Sequence, residues 1–598
     1  MIQTNGMFRN VFFQPYNDKN NLKLQNSVKN SKHLVQRLAL EKVLDQHNGC
    51  VNSLHWNETG SLLLSAGDDK TIIITNPYTY ELIVHYKTQH KTNILCAKFL
   101  PTTDHRIISS GGDGSILSLD LKRLERTEFN FFNCHDGPCY ELEVIPGEPN
   151  TFLSCSEDCT VRQFDLRSID KCTKKNCIEN ILVDCGKAVS TIAINPIQPY
   201  QLAIATIDSV VRIVDRRKMI IHDPTQKITP EYSFTVPQLN HRSYRITSLS
   251  YSPDGRDMLA SYANEEVYLF SLNKDPNTTA VANDFLENAP CPPPFRRIRL
   301  RGDWADTGPS SRPSESSMRS TMQSAVMTRM SDMLVHVFNT PSLRNGLMQN
   351  WRPNYSVFSS PLPDVIERSL NNFNNIEPRT PLENEQGEHS MEVGIESVVN
   401  ENVSSNNIEQ SASNSNNQRA PKRIKSKSTF ESPGFDDNVP LLPLKGQYKG
   451  HRNARTLIKE AVFWGNNFIM SGSDCGHVFV WDRYTCEIVM LLTADAHVVN
   501  CVQPHPTRPI LATSGIDHNV KLWSPLRGNN MFSQLQVDEL VKRNKIMIEE
   551  SKDTVTVSPS LIVRMLAYFN QLRRVPNGLP GFILETLEEY SLQGPEWQ

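Results

Sequence analysis

Apolar and polar positions alternate in short runs along this chain, and each run follows a polar, mostly acidic turn. The pattern recurs as AGDDKTIIIT, SGGDGSILSL, CSEDCTVRQF, ATIDSVVRIV, SYANEEVYLF, SGSDCGHVFVW and SGIDHNVKLW. Short alternating or continuous apolar runs bounded by turn residues predict β-strands joined in hairpins. The turn residues are Asp69, Asp113, Asp158, Asp208, Asn264, Asp474 and Asp517, separated by 44, 45, 50, 56, 210 and 43 residues. Apart from the single long gap, these intervals sit at or somewhat above the roughly 40–45 residues of one repeated four-stranded sheet unit.

Six of the strands close six residues after the turn, at Thr75, Leu119, Phe164, Val214, Phe270 and Trp523, and the remaining one closes one residue later with Trp481-Asp482. Histidines lie 22 or 23 residues ahead of four turns: His47 before Asp69, His90 before Asp113, His135 before Asp158 and His451 before Asp474; His497 precedes Asp517 by 20. A turn carboxylate at that spacing can accept a hydrogen bond from the histidine and lock the loops of one unit together. These residues, with Asp208, Trp481 and Trp523, are therefore expected to be structural. The pattern resembles the WD-repeat β-propeller: an all-β disc of seven blades, five before residue 273 and two after 450. Residues 34–46 are expected to supply the outer strand of the last blade, which removes its exposed edge.

The 210-residue gap exceeds one blade by roughly 165 residues. Its excess, 274–440, is expected to be a largely disordered insertion between blades five and six. Its centre, 371–417, is rich in Asn, Ser and Glu and poor in the apolar residues that would fold it. Because the chain leaves after a third strand (VYLFSL) and returns through LPLKGQYKGH as a fourth, the insertion sits in the loop between them. In SAVMTRMSDMLVHVF (324–338), Met327, Met330, Leu334 and Val337 have helical spacing. That helix either packs on the propeller wall or docks a partner. After the propeller (34–273 and 441–527), the segment 528–598 reads as a helical extension, with helices over 538–550 and 558–574.

Composition sharpens this picture. Lys and Arg number 62 against 65 Asp and Glu, a net charge of −3, which argues against direct nucleic-acid binding over the surface. No run of about 18 apolar residues is present, so no membrane span is expected, and the N-terminus lacks the apolar core of a secretory leader. Thirteen cysteines are expected as reduced packing thiols. The close pairs Cys134/Cys139, Cys155/Cys159 and Cys172/Cys177 lack the two-residue spacing of common zinc sites, so neither metal nor cofactor is expected. The chain has no nucleophile elbow, phosphate loop, HExxH or kinase set, and no enzymatic activity is expected.

What remains is a pair of Asp-x-Arg sequences in consecutive blades, FDLR with Asp165 and Arg167 and VDRR with Asp215 and Arg217; LDLK places Lys122 at the equivalent point of blade two. Each cation falls just past a third strand, on one rim, where a guanidinium oriented by its aspartate can make bidentate bonds to a partner. The insertion leaves from the same rim, and its ordered flanks are expected beside the cations. These motifs, with TFLSCSEDCTVRQFDLR, RLRGDWADTGP and YKGHRNARTLIKEAVFWGNNFIMSGSDCGHVFVWDR, resemble the cullin-4-associated factors, WD-repeat substrate receptors of cullin-4 ubiquitin ligases. Where the family usually has Trp, the first motif has Phe164 and the second Val214, so the second is degenerate.

The resemblance implies that Arg167 and Arg217 bind the ligase adaptor, a damaged-DNA-binding propeller protein, while other surfaces recruit protein substrates for ubiquitination. It also implies that residues 1–33 dock on the adaptor, with Phe8 and Phe12 on one helical face. A nuclear scaffold or coactivator that binds nuclear receptors is the alternative, although the insertion lacks the LxxLL docking pattern. The basic run PKRIKSKS (421–428) is a candidate import signal, and nucleus and cytoplasm are the expected locations.

Overall fold

The runs TIIIT (71–75), ILSLD (116–120) and VRIVD (211–215) are rich in β-branched and aliphatic residues, which suit a pleated, packed surface, and almost every position in them is buried. Such strands need sheet neighbours on both sides and apolar layers above and below. A ring of blades supplies both. The computed structural model of the chain describes residues 11–12, 18–123, 130–168, 172, 177–219, 229–236, 244–272, 297–300, 304, 306–313, 442–526, 528, 532–552 and 554–557.

Seven four-stranded antiparallel sheets form the propeller. Blades one to four occupy 51–87, 94–132, 139–184 and 189–234 in simple strand order. Blade five takes three strands from 246–271 and its outer strand, Leu444–Tyr448, from beyond the insertion; Val267 pairs with Tyr448 and Phe270 with Leu444. Blade six spans 461–493. Blade seven takes three strands from 499–524 and its fourth, Ala39–Leu44, from near the other end of the chain, in antiparallel register with Val520–Ser524. Between the blades lie apolar layers such as Val478, Val480, Val499 and Trp523, to which Val35 and Leu38 add from the N-terminal side. Fully burying one such side chain contributes about 1.5–3 kcal/mol.

In this topology the second-to-third-strand turns and the links between blades share one face, and the first-to-second and third-to-fourth loops share the other. The turn aspartates lie on the former. His47 Nδ1 is 2.9 Å from Asp69 and its Nε2 2.8 Å from Ser65; His135 repeats this with Asp158 at 2.8 Å and Ser154 at 2.7 Å. A carboxylate only accepts, so Nδ1 carries the proton and Nε2 accepts from the serine. In blade two the relay is less direct. His90 Nδ1 meets Ser115 at 2.8 Å and stands 3.7 Å from Asp113, while Nε2 meets Ser109. His497 and Asp517 are 3.0 Å apart, and the Trp523 indole donates to Thr513 at 3.0 Å. Asp208 is paired with Arg212 and Lys187.

Blade six departs from the expected relay. His451 makes no hydrogen bond to Asp474, or through either ring nitrogen to any described residue. It stands edge-on to Trp481, whose indole donates to Lys449 O. The position that carries a serine hydroxyl in blades one to three is Met470 here, and the carboxylate is taken by Lys459 Nζ at 2.7 Å. Burial and the Lys459 charge push the imidazole down to about 4, leaving it neutral.

The flank of the insertion is also not where its exit point suggested. Residues 306–313 lie on the face of the turn aspartates, opposite the Asp-x-Arg rim. Asp306 pairs with Arg299 and with Arg455, which also faces the Trp304 ring, and Gly308 N donates to Asp474 O. Gly308 has φ +84°, and a Cβ there would stand 1.9 Å from Ala496 O, so only glycine allows this approach. Arg297–Leu300 then pairs in parallel with Thr554–Val557. The helix Gln534–Lys552 covers the same face over blades five and six, through Asn544 to Gly450 O, Ser551 to Asn264 and Lys552 to Glu265. The segments 324–338, 371–417, 421–428 and 558–574 lie outside the described residues, as does Phe8.

Lys459 and Asp474 are both fully buried, so removing the cation strands a carboxylate in the interior. Lys459→Met should destabilise the propeller by about 3–5 kcal/mol, and adding Asp474→Leu should recover much of that loss; denaturant unfolding of the three chains measures both.

Candidate functional site

The third strands of blades three and four end at Asp165 and Asp215, and each aspartate closes its own turn. Asp165 Oδ1 accepts the Arg167 backbone N–H at 2.9 Å, and Asp215 Oδ1 accepts that of Arg217 at 3.0 Å. The same carboxylates then grip the guanidinium. Arg167 reaches Asp165 through Nε at 3.0 Å and Nη2 at 2.7 Å; Arg217 reaches Asp215 at 3.0 and 2.7 Å. The two forks are the same construction, one blade apart. The arginine side chains remain 69% and 63% exposed, so their remaining donors face solvent in a fixed orientation. Hydrogen bonds from Arg167 and Arg217 hold both carboxyls below their usual range.

Ion pairs this exposed contribute little to stability. Their consequence is pre-organisation: less rotamer freedom is lost when a partner binds. Beneath the guanidinium of Arg217 lies the Tyr200 ring, 3.6 Å from its centroid; a cation over an aromatic face is a further orienting contact. The neighbouring Arg216 turns inward to Glu148 at 2.8 Å and Pro199 O, tying blade four to blade three. Phe164 and Val214, which precede the two aspartates, are both buried, and the fork forms equally well behind either. In blade two, Lys122 N donates to Asp120 Oδ1 at 3.0 Å, so the turn is kept, and the lysine side chain is exposed.

A second element reaches this face. The helix Asp18–Lys29 ends against the first-to-second-strand loops of blades six and seven. Trp464 Nε1 donates to Lys29 O at 2.9 Å, Asn466 N donates to Asn30 Oδ1 at 2.7 Å, and Lys29 Nζ donates to His505 O and Pro506 O. Phe12 is 70% exposed. Pattern reading missed this anchor because Lys29, an ordinary surface residue by type, is buried here. It also missed Tyr200, which stands apart in sequence from the arginine that it supports.

The WD domain, G-beta repeat family matches residues 39–76 and 488–524, each running from the outer strand of one blade through the first three strands of the next, blades one and seven respectively. Among curated proteins, the chain is 30% identical to human DDB1- and CUL4-associated factor 6, in an alignment covering 91% of this chain and 94% of that protein. It is 26% identical to human WD and tetratricopeptide repeats protein 1, over 82% of this chain and 85% of the relative. It is 24% identical to Protein ALTERED SEED GERMINATION 2 of Arabidopsis thaliana, over 82% and 87%.

Burial lowers the Lys29 amine to about 8. A lysine whose folded pKa lies below its unfolded value binds fewer protons when folded, so stability rises with pH between the two values. From pH 8 towards 10.5 the wild-type chain should therefore gain stability relative to Lys29→Met, and chemical melts of both chains across that range measure the difference in slope.

Proposed function

The chain belongs to the DDB1- and CUL4-associated factor 6 family of WD-repeat cullin-4-associated factors, and from that premise we propose that it is a non-enzymatic substrate-recognition subunit of a cullin-4 RING ubiquitin ligase. In this reading Arg167 and Arg217 bind the ligase adaptor, with Lys122 beside them, and the N-terminal segment that carries Phe8 and Phe12 adds a second contact on the same face. The observation that carries the reading is the duplicated fork. Two arginines on adjacent blades are each held by their own aspartate and presented to solvent, as a docking surface for carboxylates or carbonyl groups requires. A chance surface ion pair has no reason to recur with matching distances one blade away.

Protein substrates would then be recruited away from the adaptor, at the opposite face, where the C-terminal helix and the flank of the insertion supply surface in addition to the blade loops. The long insertion is a second recruitment element. Proposed sites of action are the nucleus and the cytoplasm.

Arg167→Ala with Arg217→Ala should weaken binding to the purified adaptor by at least about thirtyfold, the cost of losing about 2 kcal/mol at a binding hot spot. The melting temperature should stay near wild type, because both side chains are exposed. Lysine at the two positions should restore little, since it lacks the fork. Calorimetric titration measures these affinities, and undiminished binding by the double alanine variant would overturn the assignment.

A further inference from the structure

Three cysteines that are distant in sequence meet where blade two hands the chain to blade three. Cys134 lies in the link between the blades, and Cys172 and Cys177 lie in the loop that follows Arg167. All three are buried, and their sulfur atoms lie within 4.8 Å of one another, with Cys134 and Cys177 at 3.5 Å. Cys172 is pinned by its backbone: its N–H donates to Phe131 O at 3.0 Å and its carbonyl accepts from Asn133 N at 2.8 Å.

The groups around the sulfurs are donors. Asn180 Nδ2 stands 3.9 Å from Cys134 Sγ and 4.0 Å from Cys177 Sγ. Arg162 Nη1 stands 3.9 Å from Cys177 Sγ and also donates to Cys177 O. Arg162 is 1% exposed. Its carboxylate partner among the described residues is Asp158, at 3.8 Å, and Asp158 is already committed to His135. A guanidinium buried this deeply calls for nearby negative charge, and thiolates would supply it. Neutral thiols packed for volume alone would need neither donor.

We propose that Cys134, Cys172 and Cys177 form a structural site for a thiophilic metal ion, zinc(II). Binding releases three thiol protons and forms three zinc–sulfur bonds, with a water molecule in the fourth position, leaving a net charge of −1 that Arg162 faces. Tetrahedral bonds of about 2.3 Å would set the sulfurs about 3.8 Å apart, near the 3.5 Å between Cys134 and Cys177 and inside the 4.8 Å that bounds all three. Asn180 and Arg162 act as the outer donors that orient ligands in such sites. The two-residue spacing test misses the site because its ligands are 38 and 5 residues apart and converge only once the blade is folded. The ion would fasten the loop that carries Arg167 to the junction of blades two and three.

Metal analysis of the full chain, purified without chelator, tests this directly. The expected result is one zinc per chain, released by a mercurial thiol reagent. Cobalt(II) should replace it with the thiolate-to-cobalt charge-transfer absorption of a tetrahedral site. Cys134→Ser, Cys172→Ser and Cys177→Ser should each lower bound zinc at least about tenfold, and Asn180→Ala should weaken zinc affinity by about 10–100-fold. Cys155→Ser and Cys501→Ser, at buried thiols outside the cluster, should retain the ion. The cobalt measurement on the wild-type chain stands even if a serine variant fails to fold. A folded wild-type chain that carries no zinc and takes up no cobalt would overturn the proposal, as would two of the three thiols found joined in a disulfide.

Discussion

The pairing of Ala39–Leu44 with Val520–Ser524 is the constraint on which the rest of the structure depends. A sheet of repeated blades has two free edges until its ends meet, and a free edge exposes unpaired backbone donors and acceptors. Here the ends meet inside a single blade, so opening the ring breaks a ladder of hydrogen bonds and the apolar layers on both sides of it. Closure makes the last blade the neighbour of the first, and the order of the blades between follows the chain. That order places the third strands of blades two, three and four in succession, and hence Lys122, Arg167 and Arg217 along one rim.

The two faces use their carboxylates differently. On the aspartate face, polar relays are consumed internally: His47, His135 and Lys459 each satisfy a turn carboxylate, and a helix and the flank of the insertion lie over two of the blades. On the opposite rim, among the described residues, the carboxylates of Asp165 and Asp215 bond their own arginines, and the guanidinium groups remain at the surface. The same residue type therefore serves rigidity on one side and presentation on the other, and burial separates the two roles. Arg216 and Arg217 make the point within two positions: one is turned inward against Glu148, the other outward over Tyr200.

Much of this was legible in the sequence because it depends on local spacing. Strand alternation, turn residues and the blade period fix seven sheets, and the Asp-x-Arg spacing suffices to place a fork, since both partners sit in one turn. Where the partners come from separate strands, spacing failed. His451 matched the pattern but lost its aspartate to Lys459, because the hydroxyl that completes the relay in other blades is replaced by Met470. The insertion's exit point suggested the wrong face for its flank, because the contacts of Trp304 and Asp306 with Arg455, and the close approach allowed at Gly308, outweigh the direction in which the chain departs. The cysteine cluster escaped for the same reason: its geometry exists only after blades two and three have packed.

The course of the insertion has a topological consequence. Its described beginning ends at residue 313 on the aspartate face, while the chain re-enters blade five at 442 on the arginine side. The two points at which the intervening residues join the described chain, 313 and 442, thus lie on opposite faces of the disc. A molecule that bound any part of that segment would be tethered to both faces, and its encounter with either would be an intramolecular event governed by tether length rather than by bulk concentration.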